Sequence, residues 1–148
     1  MSQMLDDGIT RQLKDLFADL DQDVEILYFG SQTQNCQFCK ETQQLLEEVS
    51  GLTEKVALHV YDIDDDREIA EKYTVDKVPG FVIVGREGND IVDYGIRFYG
   101  IPSGHEFTSL VTGLMMVSKG DSGLSDDGRA FLAGLKQPVH LQVYVTPT

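Results

Sequence analysis

Ile9, Leu13, Leu16, Phe17 and Leu20 recur at helical spacing with polar residues between them, so residues 9 to 21 read as an amphipathic helix opening near Gly8 or Thr10. The next segment, Val24 to Phe29, is almost unbroken apolar sequence, which predicts a short strand covered on both faces. Helical spacing returns over Glu41 to Val49, with Leu45, Leu46 and Val49 inward and an end near Ser50-Gly51. Val56 to Ile63 reads as a second strand, parallel to the first because a helix lies between them. Asp64, Asp65 and Asp66 then lead into a helix over Glu68 to Tyr73, where negative charge suits capping and the helix dipole.

Phe81 to Val84 predicts a third strand, and the turn-forming residues Gly85 to Asn89 join it as a hairpin to a fourth over Ile91 to Phe98, with Gly95 marking a bulge. Ser103 and Glu106 have the spacing of a capping box at the start of a helix that buries Phe107, Leu110, Val111, Leu114 and Met115. His105, at that helix start, reads as a structural residue. Together these elements predict an α/β chain with a mixed sheet of four to five strands and helices on both faces.

Residues 124 to 145 repeat the pattern of residues 9 to 30. Leu124 falls on Ile9, Phe131 on Leu16, Leu132 on Phe17, Leu135 on Leu20 and Val139 on Val24. The chain therefore divides into a domain over 1–120 and a stretch over 121–148 that reads as a linker plus the first helix and strand of a second, similar unit. Val139, Leu141, Val143 and Val145 give that strand one apolar face, which predicts either packing on its own domain or a homodimer through the C-terminal strand.

Charge narrows the function classes. Twelve basic residues stand against 25 acidic ones, a formal net charge of −13, which repels nucleic acid and anionic membranes. No apolar run approaches the ~18 residues of a membrane span, and the N-terminus has no basic and apolar leader. A cytoplasmic protein is the expectation. Asp62, Asp64 and Asp66 have the spacing of the first calcium-loop ligands, but Arg67 and Tyr73 stand where that loop needs glycine and glutamate.

The candidate chemistry lies in Cys36-Gln37-Phe38-Cys39, between the first strand and its helix, which carries both cysteines of the chain. A structural zinc site needs two further ligands, and His59, His105 and His140 are scattered singly. In a reducing compartment such a pair is expected to cycle between dithiol and disulfide. The first N–H groups of a helix are unpaired and its dipole is positive there, which favours thiolate over thiol. Lowering a thiol pKa from about 8.5 to about 7 raises the reactive fraction at neutral pH from a few per cent to roughly half. Cys36, nearer the helix tip, is the expected attacking sulfur and Cys39 the resolving one, with no metal and no cofactor beyond the Cys36–Cys39 disulfide.

This order of elements, with Cys36-Gln37-Phe38-Cys39 after the first strand and Val78-Pro79 some forty residues on, resembles the thioredoxin fold. Arg97 to Phe107 and the tail Val143 to Thr148 are similar to stretches of the glutaredoxin-like protein disulfide oxidoreductases, which carry two thioredoxin-fold units in tandem. The resemblance implies a cis peptide between Val78 and Pro79, whose backbone pairs with a substrate strand, while Gln37 and Phe38 shape the loop. It also implies disulfide-containing protein substrates and a flavoenzyme like thioredoxin reductase as electron donor. An electron-relay or docking domain of a flavoprotein peroxidase system is the alternative. Unlike thioredoxin, the sequence has Asn35 in place of the tryptophan before the motif and Gly30 near the position of the buried acid.

Overall fold

The computed structural model describes residues 3–146, so Pro147 and Thr148 of the tail lie outside the described residues. Its elements are α1 (Asp7–Phe17), β1 (Val24–Gly30), α2 (Cys39–Ser50), β2 (Val56–Asp62), α3 (Arg67–Lys72), β3 (Gly80–Glu87), β4 (Asp90–Tyr99), α4 (His105–Lys119) and α5 (Asp126–Ala133). Four strands form one sheet in the order β2-β1-β3-β4. The β1–β2 pair is parallel, and β3 runs antiparallel to both β1 and β4.

Strand β1 is buried along its whole length, as its unbroken apolar run requires. On one face Val24, Ile26 and Tyr28 pack with Phe17 of α1, Leu46 of α2 and Leu114 of α4. On the other, Leu27 and Phe29 pack with Val82, Val84 and the α3 residue Ala70 and its neighbour Tyr73. Helices therefore cover both faces, three against one. The β3–β4 register slips between Ile83 and Gly85, where β4 carries extra residues around Gly95 at φ 83°.

Several local expectations are corrected. Helix α1 starts earlier than residue 9, because the Asp6 side chain accepts the Ile9 N–H and caps it. Leu16, expected in the core, is 45% exposed. The capping box at Ser103 does not form; Gly104, at φ 61°, precedes α4 with no side-chain cap, and His105 is exposed. Asp66 does not cap α3 through its side chain either; its carboxylate accepts the Asp62 N–H at 2.9 Å.

The C-terminal repeat is legible in part. Helix α5 ends at Ala133, close to Leu132, the residue that overlays the α1 end at Phe17, and Ser125 caps it through the Gly128 N–H. The strand expected over 139–145 forms no ladder with the sheet, since a strand needs a partner edge to satisfy its backbone. Val139, Leu141, Val143 and Val145 are all largely exposed.

Candidate functional site

Cys36 and Cys39 are joined as a disulfide, with their Cα atoms 5.5 Å apart. Helix α2 begins at Cys39 rather than at Cys36, so Cys36 lies in the loop just ahead of the helix tip. Phe38 occupies the N-cap without a side-chain hydrogen bond, and its carbonyl accepts both the N–H and the hydroxyl of Thr42, at 2.9 and 2.7 Å. The first N–H groups of α2 thus lack a capping side chain, at the end of the helix that carries the disulfide. Cys36 is half-buried and Cys39 is buried, the order of access that an attacking and a resolving sulfur need.

Two carboxylates hold the loop that leads to Cys36. Asp64 accepts hydrogen bonds from the side chains of Thr33 at 2.6 Å, Ser31 at 3.0 Å and Gln34 at 3.2 Å, and these donors hold its carboxyl below the usual carboxylate range. Asp62 accepts the Gln32 N–H at 2.9 Å, and the Cys36 N–H closes the turn onto the Gln34 carbonyl at 2.8 Å. The acidic stretch after β2 therefore positions the dithiol loop. Sequence reasoning missed this role because the bonding partners lie some thirty residues away.

Tyr28 is a site residue that the sequence did not single out. Its hydroxyl donates to the Cys39 carbonyl at 2.7 Å, tying β1 to the first residue of α2. A Cβ at position 30 would stand 2.8 Å from that hydroxyl, so glycine leaves the space that the phenol fills. Burial, with help from the Glu41 charge, pushes the Tyr28 pKa up to about 12. Inside an apolar run a tyrosine reads as core, which hid it.

Val78 and Pro79 are joined by a cis peptide, as the resemblance implies. Pro79 is buried, and its carbonyl accepts the Gly100 N–H at 2.9 Å. Gly80 follows it and pairs with Phe29 on β1, so this peptide and the Gly30–Cys36 loop leave the sheet at the same end. Glycine is required at position 80, where a Cβ would meet the Lys77 carbonyl at 2.7 Å. On the β2 side, a groove of about 890 Å³ has Cys36, Gln37 and Cys39 in its wall. Phe38, at 43% exposed, lies outside that wall, as do Val78 and Pro79.

Residues 22–112 match the family model described as thioredoxin domain. The chain is 33% identical over 141 residues to the alkyl hydroperoxide reductase AhpF of Pseudomonas aeruginosa, covering 95% of this chain and 24% of that protein. The AhpF protein of Staphylococcus epidermidis is 30% identical, over 98% of this chain and 25% of its own length. The chain thus spans about a quarter of the length of these relatives. Among solved structures, the alkylhydroperoxide reductase AhpF of Enterococcus faecalis superposes with a TM-score of 0.77 at 29% identity, covering 90% of this chain and 62% of that one. A protein disulfide oxidoreductase from Aeropyrum pernix gives 0.74 at 26% identity, covering 90% and 57%. Among the described residues, no helix is long and apolar enough to cross a membrane.

Proposed function

Because the chain belongs to the thioredoxin domain family, we propose that it exchanges disulfides with protein partners through Cys36 and Cys39. The observation that carries this reading is the disulfide itself, set at the uncapped start of α2 with one sulfur accessible and the other buried. In the reducing direction, Cys36 thiolate attacks a partner disulfide, forming a mixed disulfide and releasing one partner thiolate. Cys39 then attacks Cys36 Sγ, closing the internal disulfide and releasing the second partner thiolate. Two electrons pass to the partner, and two protons end on its thiols. In the oxidising direction the same bonds form and break in reverse order.

In this proposal the backbone at Val78 and Pro79 holds the partner chain beside Cys36, while Gln37 and Phe38 border the sulfurs. An insulin-disulfide reduction assay tests it: wild-type protein turns insulin over with a chemical reductant, and Cys36→Ser falls to the uncatalysed rate. Equal rates for the two proteins overturn the reading.

The similarity to the AhpF proteins supports a second reading, an electron relay between fixed partners. A flavoenzyme of the thioredoxin reductase type would be the electron donor in either case. Stoichiometric reduction of Cys36–Cys39 by such an enzyme, with no turnover of insulin, selects the relay. We further propose that residues 121–148 form the opening of a second unit, supported by the matching ends of α1 and α5.

A further inference from the structure

The groove on the β2 side of the dithiol is separate from the surface at Pro79, and its lining is unusual. Exposed amide side chains from Gln32, Asn35 and Gln37 stand along it, while Val60 contributes apolar surface. Val60 is 49% exposed although it belongs to the sheet. Its strand, β2, is an edge strand, so one row of its backbone N–H and C=O groups is unpaired within the sheet as far as Asp62, whose N–H and C=O are both taken by Asp66. Amide side chains both donate and accept, which lets them pair with a peptide backbone whatever its sequence. A bare strand edge offers the same pairing through strand addition. The charges that line the groove are Glu41 and Asp62 against Lys40, on a chain of net charge −13.

We propose that this groove binds an extended polypeptide segment of the partner protein, on the opposite side of the partner's reactive cysteine from the segment held at Pro79, and that it favours lysine or arginine there. The inference rests on the exchange reading above and specifies the substrate class of that site. Backbone pairing along β2 and the amides supplies affinity for any extended chain; the carboxylates supply the preference among chains. Anionic small disulfides gain from neither.

The test uses the reduced 148-residue chain and follows release of thiolate from four disulfides. Three are short peptides identical except for lysine, glycine or glutamate beside the cystine, and the fourth is bis(2-hydroxyethyl) disulfide. The lysine peptide should react faster than the glycine peptide, and that faster than the glutamate peptide, by on the order of threefold to tenfold per step at low salt, with the spread collapsing in half-molar salt. Glu41→Gln should narrow the spread. Val60→Lys should slow all three peptides severalfold while leaving bis(2-hydroxyethyl) disulfide unchanged, which separates groove binding from the chemistry of the dithiol.

Equal rates for the three peptides, with the small disulfide also reacting, would overturn the charge preference while the exchange reading stands. Peptides unaffected by Val60→Lys would overturn the groove itself. If none of the four disulfides reacts, the exchange reading falls and takes this inference with it.

Discussion

The Tyr28 hydroxyl donates to the Cys39 carbonyl at 2.7 Å inside the space that Gly30 leaves open. Tyr28→Phe removes this buried bond and keeps the ring, so the oxidised protein should lose about 1 kcal/mol of stability. Urea unfolding checks it: the midpoint should fall with no change in slope.

The same residue predicts an alkaline weakness. The folded-state pKa of Tyr28 is raised to about 12 by burial and then by Glu41, against an ordinary value of 10.0. Its contribution is complete below pH 10 and is lost as pH rises toward 12, because the unfolded chain releases the proton first. Unfolding midpoints measured across that window should fall more steeply in wild type than in Tyr28→Phe.

Asp64 predicts the opposite sign at the acid end. Bonds from Thr33, Ser31 and Gln34 lower its pKa, so its hold on the loop is present above the ordinary carboxylate range and lost as pH falls through the folded-state value. Asp64→Ala should speed amide hydrogen exchange over Ser31 to Asn35 at neutral pH, with little change in β1 or β3. Unchanged exchange in that loop would remove Asp64 as its anchor.

Glu25 separates stability from chemistry. This buried carboxylate on β1 accepts the Arg86 Nε–H at 2.7 Å and lies 3.3 Å from His59 Nε2. It stands five residues before Gly30, roughly 17 Å along an extended strand. Glu25→Ala should cost about 1–3 kcal/mol, since an uncompensated partner remains although Arg86 keeps solvent access. The rate of Cys36 alkylation should not move. A changed rate would mean that the two ends of β1 are coupled.

How much of this was legible follows from the range of the interactions involved. The four strands, the parallel first pair and the bulge at Gly95 were readable because burial period and glycine placement are local signals. The cap of α1 was misplaced, since Asp6 lies outside the apolar pattern that marked the helix. The Ser103 box failed because the glycine after it adopts a positive φ and takes the N-cap position. At the site, the cysteines and the Val78–Pro79 pair were visible as motifs. Tyr28 and Asp64 were not, because each acts through contacts that only the folded chain brings together.

The tail makes a simple prediction. Helix α5 buries no residue, and residues 134–146 after it are exposed. Removing residues 124–148 should change the unfolding free energy by less than about 1 kcal/mol. Light scattering on both proteins decides the proposed homodimer: a mass per particle that halves beyond the deleted residues supports pairing through the tail, and monomers in both cases exclude it.

In the reduced protein, the uncapped start of α2 should ionise Cys36. Alkylation of the reduced chain across pH, read by mass spectrometry at each cysteine, measures this directly. Cys36 should react with a half-maximal rate near pH of about 7 and Cys39 far more slowly throughout. Both thiols following the profile of an unfolded peptide, near about 8.5, would show that the start of α2 does not ionise Cys36.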